Sequence, residues 1–282
     1  MNRIAWVTDS TAFLDDELKN NEDIFVIPMT IFFDEEEYLD GVTITPSQFF
    51  ERLKTSKTVP KTSQPSIGSF VEIYNSLEGK YDHIISIHVS EKLSGTVSSA
   101  RQAAEIVTIP VTVIDSKILT YPMSVLIKEG IKVLKTGGSP SEIEKHMMDL
   151  ANRIETYVLI GSLEQLHRSG RMNTAQYYLG SMLQIKPIIT IQDGALSVKE
   201  RVRSENKATN KIFNYLKDAV SKHSIEEVYL LYGLRDSKAK EWEKSIKEFA
   251  NQLSIGAYPL GVALGVHAGE ETIGISWINK QK

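Results

Sequence analysis

The chain contains no cysteine. Disulfides, thiolate nucleophiles, zinc fingers and cysteine-held iron–sulfur clusters are therefore excluded. Long apolar runs are missing too. Nothing approaches the ~18 consecutive apolar residues of a membrane span, and the first run, Ile4-Ala5-Trp6-Val7, is too short for a signal-peptide core. The expectation is a soluble, cytoplasmic protein. An excess of positive charge is also absent: 32 Lys and Arg face 36 Asp and Glu, for a net charge of −4. That balance argues against nucleic acid as a partner. The sequence has no G-x-G-x-x-G, no P-loop, no H-E-x-x-H and no G-x-S-x-G, so the usual dinucleotide, nucleotide, zincin and hydrolase signatures have no support. His83 and His88, five apart on one predicted strand, face opposite sides, and no metal is expected.

What is present is ordinary globular material: 282 residues, 41% hydrophobic and 24% charged. That length suits two domains. Short apolar runs at Ile4–Val7, Phe25–Phe33, His83–Val89 and Val111–Ile114 read as buried strands. Between them, Ile67, Phe70, Val71, Tyr74 and Leu77 recur at helical spacing, and Val97, Ala100, Ala104 and Val107 do so more weakly. Alternating strand and helix predict a parallel α/β domain over residues 1–155. Farther on, Pro187–Ile191 and Ala195–Val202 flank Asp193-Gly194, a hairpin signal, so residues 156–282 are predicted to form a second α/β domain with a mixed sheet. Ser139–Glu142 has the look of a helix cap, Lys54–Lys61 reads as a mobile loop, and glycine-punctuated strands are expected from Gly256 to Ile278.

Two hydroxyl-rich segments each precede a predicted helix: Thr62-Ser63-Gln64-Pro65-Ser66, with Pro65 suited to a first helical turn, and Ser90 through Ser94-Gly95-Thr96. Serine and threonine there cap exposed N–H groups. Helix starts usually attract carboxylates, yet no acid falls between Lys61 and Val71 or between Lys92 and Ala104. Such ends can equally receive an external anion. Two later segments carry polar chemistry. His267 lies among Gly261, Gly265 and Gly269, and Arg168 and Arg171 flank Gly170 after the capping pair Ser162 and Gln165.

Taken in order, Val7–Thr11, Thr62–Ser66, Ser94–Thr96, Val113–Lys117, Leu163–Met172, Lys186–Ile188 and Gly265–Gly269 resemble the DegV family of bacterial fatty-acid-binding proteins. The resemblance implies two α/β domains with one long-chain fatty acid in a tunnel between them. It implies that Thr62, Ser63, Ser94, Gly95, Thr96 and His267 bind the fatty-acid carboxylate. It further implies an ATP-dependent fatty acid kinase as partner, contacted through Arg171, with no cofactor and no catalysis by this chain itself. Transient contact with a membrane surface would serve lipid exchange. The family often reads Gly-Gly-Arg-Ile where this chain has Ser169-Gly170-Arg171-Met172. Two readings from other classes stand beside this one: a serine hydrolase of acyl esters using Ser94, His267 and Asp115, and a phosphate- or nucleotide-binding module built on the two helix starts.

Overall fold

The computed structural model describes residues 3–56, 59–172, 185–234 and 236–281. They divide into two units: Met1–Asn152 with Gly261–Ala263, and Arg153–Leu260 with Leu264–Lys282.

In the first unit, β1 (Ile4–Asp9), β2 (Ile24–Ile27), β6 (His83–His88) and β7 (Val111–Asp115) pair in the order β2-β1-β6-β7, all parallel. Every residue of β1 is buried, polar Thr8 and Asp9 included. A strand covered on both faces reads as an unbroken apolar run. On one face lie α3 (Ile67–Leu77) and α4 (Thr96–Ala104), whose Phe70, Tyr74, Leu77, Ala100 and Ala103 cluster with Ala5, Val7 and Ile84. Each large apolar side chain so buried contributes roughly 1.5–3 kcal/mol.

Two further helices of this unit are α5 (Tyr121–Lys135) and α6 (Pro140–Ala151). Gly130 of α5 admits the Trp6 ring: a Cβ there would lie 2.7 Å from Cη2 of Trp6 and 2.8 Å from Sδ of Met147. Glycine inside a helix costs about 1 kcal/mol relative to alanine; here the close approach of the indole offsets it. Ser139 and Glu142 cap α6 reciprocally, with Pro140 in the first turn, as their spacing predicts.

The run Phe25–Phe33 is two strands, not one. Pro28 has no N–H to give a ladder, and after it β3 (Thr30–Phe33) enters a separate antiparallel sheet, β4 (Glu36–Leu39)-β3-β5 (Lys61–Ser63). Of the Lys54–Lys61 stretch, Lys54 and Thr55 close α2 (Pro46–Thr55) and Lys61 opens β5; residues 57 and 58 lie outside the described residues.

The second unit carries the expected mixed sheet. β8 (Ile154–Leu159), β9 (Lys186–Gln192), β10 (Ala195–Val202), β11 (Glu227–Tyr232), β12 (Ser254–Pro259) and β13 (Ile273–Ile278) run in the order β10-β9-β8-β13-β11-β12. Only β11 and β12 pair in parallel. Asp193 and Gly194 both have positive φ, 47° and 82°, as a primed two-residue hairpin turn demands. From α8 (Glu205–Lys222) and α9 (Asp236–Phe249), Ile212, Leu216, Trp242 and Ile246 pack on Leu230, Ile275 and Trp277.

One expectation fails here. Residues within Gly261–Gly269 form a helix, α10 (Val262–Ala268), and not a glycine-rich strand. Val262, Ala263 and Val266 are buried at helical spacing, and that burial outweighs the weak helix propensity of Gly265. No described helix is long and apolar enough to cross a membrane.

Candidate functional site

The two hydroxyl-rich segments differ once folded. Thr62 and Ser63 belong to β5, opposite Ile31 and Thr30. Ser66 then caps α3 by accepting the Ser69 N–H at 3.0 Å, so Pro65 precedes the cap and does not sit in the first turn. At α4 the cap residue is Gly95, which makes no side-chain capping bond, and the first turn holds no acid. Ser94 does not cap that helix. Its hydroxyl shares a 2.8 Å hydrogen bond with the Thr96 hydroxyl, and Thr96 Oγ1 donates in turn to Met29 Sδ at 3.7 Å. The simple-cap reading therefore holds for α3 and fails for α4.

The segments also meet. A Cβ built on Gly95 would lie 2.7 Å from Nε2 and 3.0 Å from Cδ of Gln64. The Gln64 carboxamide thus covers the glycine at the head of α4, bringing the end of one segment against the other within the first unit. Behind them, the Ser90 carbonyl accepts the N–H groups of Leu93 and Ser94 at 2.9 and 3.1 Å, which fixes the turn.

Below this region runs a buried polar chain that the sequence reading missed. Tyr74 Oη and Ser86 Oγ are 2.7 Å apart, Ser86 Oγ and His88 Nε2 are 2.7 Å apart, and His88 Nδ1 faces Asp9 Oδ2. Its one sequence signal is that Ser86 and His88 sit on alternate positions of a strand that, after His83, is otherwise apolar. A second carboxylate, Asp40, takes the Ser10 hydroxyl at 3.0 Å and the Ala263 N–H at 3.3 Å. Burial pushes Asp40 up to about 6, against its hydrogen bonds from Ser10 and from the Ala263 and Val262 N–H groups; the Asp9 charge pushes the same way as burial.

Asp115, the third member of the hydrolase reading, has its Oδ1 occupied by the backbone N–H groups of Glu91 at 3.2 Å and Lys117 at 2.9 Å. It shapes the loop leaving β7.

In the second unit, α7 (Leu163–Arg168) is capped by Ser162, which accepts the Gln165 N–H at 3.2 Å. Gly170, at φ 76°, ends it: its N–H reaches the His167 carbonyl and that of Arg171 reaches Leu166. Arg168 is exposed and pairs with Glu164 at 2.7 Å. Arg171 is half-buried, burial lowers its basicity, and its guanidinium donates to the Ser169 carbonyl. His267, on α10, is held down to about 4 by burial and then by the nearby Arg171 charge. The reading that gave Arg171 and His267 separate tasks did not anticipate this electrostatic proximity. At neutral pH the imidazole is uncharged.

Residues 3–280 match the family model described as "Uncharacterised protein, DegV family". Protein DegV of Bacillus subtilis is 32% identical over 280 residues, spanning 98% of this chain and 99% of that protein. A DegV domain-containing protein of Halalkalibacterium halodurans is 35% identical over 280 residues, spanning 98% and 99%. The crystal structure of Bacillus subtilis DegV, described as a fatty acid binding protein, superposes with a TM-score of 0.90 at 31% identity, covering 99% of this chain and 100% of that one. A DegV family protein from Thermus thermophilus, described by its fatty acid binding, gives 0.88 at 29% identity over 98% of this chain and 99% of its own.

Proposed function

Since this chain belongs to the DegV family, we propose that it binds a long-chain fatty acid and presents the carboxylate to an ATP-dependent kinase, which converts it to an acyl phosphate. The observation that carries the reading is the head of α4, where hydroxyls gather, no acid stands in the first turn and no side chain caps the helix. A carboxylate there would take the place of the missing cap.

The residues proposed to hold the head group are Thr62, Ser63, Ser94, Gly95, Thr96 and His267. They are hydroxyls, backbone N–H groups and an imidazole that burial keeps neutral at pH 7. A buried carboxylate needs hydrogen bonds, and neutral donors supply them without neutralising the charge. That matters for the second step: the carboxylate oxygen must attack the γ-phosphorus of ATP, so its negative charge has to survive binding. Affinity comes from the tail. About 15 methylenes leaving water gain roughly 12 kcal/mol, of which immobilising the chain takes back several. Micromolar or tighter binding is the outcome.

The test is native mass spectrometry of the purified protein, followed by solvent extraction of whatever it carries. A fatty acid in the extract is expected. Ligand-free protein that also ignores oleate and palmitate at micromolar concentration overturns the reading.

A further inference from the structure

We infer that Gln64 is a specificity-determining residue of the head-group site, donating its carboxamide N–H to the ligand's carboxylate from a position that only a glycine at 95 permits. The inference rests on the fatty-acid reading and adds a donor to it.

Three observations meet at this side chain. Its carboxamide lies over Gly95, so close that a Cβ there would fall 2.7 Å from Nε2, 3.0 Å from Cδ and 3.3 Å from Oε1. Real Cβ atoms essentially never approach other atoms that closely, so a larger residue at 95 would push the carboxamide, the far end of a flexible side chain, out of this place. Gly95 itself has φ −75°, a conformation open to every residue, so backbone freedom does not explain the glycine. What explains it is the space that Gln64 fills. Third, no hydrogen bond of the Gln64 carboxamide to a described residue occurs, although the hydroxyls of Ser94 and Thr96 next to Gly95 bond each other. An exposed amide packed against a glycine beside two paired hydroxyls, with both donors unspent among the described residues, offers N–H groups where an oxyanion would complete the set.

Geometry also provides a mild way to remove the donor. Gln64 borders an open cleft of about 640 Å³, lined in part by Pro28, Ser66 and Ser69, into which its flexible side chain can turn. Gly95→Ala should therefore displace the carboxamide without unfolding the protein.

Oleate and oleyl alcohol affinities, with melting temperature, are to be measured for wild type, Gln64→Ala, Gln64→Glu, Gly95→Ala and the Gln64→Ala/Gly95→Ala double variant. Gln64→Ala and Gly95→Ala should each weaken oleate about tenfold, the cost of one hydrogen bond to a charged group, and leave oleyl alcohol within about twofold. The double variant should bind oleate no worse than Gln64→Ala, because the clash has lost its partner. Gln64→Glu, which keeps the shape and sets a carboxylate against a carboxylate, should weaken oleate more than Gln64→Ala does and spare the alcohol. Melting temperatures should stay together.

Oleate binding unchanged in Gln64→Ala overturns the inference and leaves the fatty-acid reading intact. So do equal losses for acid and alcohol, which would make Gln64 a wall and not a donor. A double variant weaker than Gln64→Ala shows that a Cβ at 95 obstructs the ligand itself and likewise overturns it. Wild type that binds neither lipid overturns both.

Discussion

Asp9 and His88 face each other across 3.1 Å with neither side chain exposed to solvent. Burial alone would raise the Asp9 carboxyl, but the hydrogen bond and charge of His88, the Thr11 hydroxyl and the Val89 N–H hold it below its ordinary value. Removing one member of such a pair leaves the other buried and uncompensated, at a cost of about 3–5 kcal/mol. Asp9→Ala should therefore lower unfolding stability by that amount in urea titrations. The stabilisation is present above the unfolded carboxyl value of 3.8 and fades as pH falls through the lower folded value. The gap between wild type and Asp9→Asn should accordingly shrink in strong acid. A loss below ~1 kcal/mol for the alanine variant would show that the pair is not structural.

Asp40 and His267 should give opposite pH dependences that mask each other. Asp40 rises from 3.8 to about 6 on folding, so the native state binds the extra proton and stability falls as pH climbs between those values. His267 drops from 6.5 to about 4, so the unfolded state binds the extra proton and stability rises with pH over much the same window. Each effect is worth up to ~3 kcal/mol. Melting curves from pH 4 to 6.5 should be nearly level for wild type. Asp40→Asn should lose stability on acidification and His267→Gln should gain it. Parallel slopes in the two variants would contradict both assignments.

Thr120 holds φ 63° and ψ −146°, a region that β-branched residues avoid, and its buried hydroxyl has no hydrogen-bond partner among the described residues. Strain of this kind costs about 1–3 kcal/mol. Thr120→Gly should relieve the strain and the unpaired hydroxyl together, raising unfolding stability by ~1 kcal/mol after glycine's own entropy is counted. Thr120→Ala, which keeps the strain and removes the hydroxyl together with the buried γ-methyl, should gain less. A destabilised glycine variant in urea titrations refutes the strain.

Ser94→Ala should weaken oleate binding roughly ten- to a hundredfold, since a hydrogen bond to a charged group is worth about 1.5–3 kcal/mol. Oleyl alcohol should be far less affected, because the tail supplies most of its binding. The Ser94 to Thr96 hydroxyl bond sits at a part-buried position, so the melting temperature should change little. Equal losses for acid and alcohol, measured by displacement of a fluorescent lipid, would mean that Ser94 shapes the site without reading the head group.

Arg171 tests the kinase half of the proposal. Arg171→Ala should leave bound fatty acid near wild type while acyl-phosphate formation with the cognate kinase collapses, and Arg171→Lys should rescue only in part, keeping the charge and losing the fork. Its charge also depresses His267, so the alanine variant should show a His267 imidazole whose NMR titration midpoint moves up from about 4. Unchanged turnover removes Arg171 as the contact and turns attention to Arg168.

Local patterns were legible before folding. Helical spacing marked Phe70, Tyr74 and Leu77, which are buried as the period requires. Asp193-Gly194 announced a turn whose two positive φ values few other pairs adopt cheaply. The acid-free starts of α3 and α4 were visible as composition, and both helices begin without a first-turn acid.

Other features needed the folded chain because they depend on residues far apart in sequence. Gly261–Gly269 looked like a strand because glycine is a poor helix former, and only the burial of Val262, Ala263 and Val266 made it a helix. Nothing local joins Asp9 to His88, 79 residues away, or sets Gln64 over Gly95. By itself the sequence determined several elements, among them β1, β6, β7, α3 and the β9–β10 hairpin, since hydrophobic period and turn chemistry act over a few residues. Which polar groups are buried together, and so which carboxyl is held down and which is pushed up, was decided only by tertiary packing. Desolvation and hydrogen bonding depend on neighbours that the chain brings in from elsewhere.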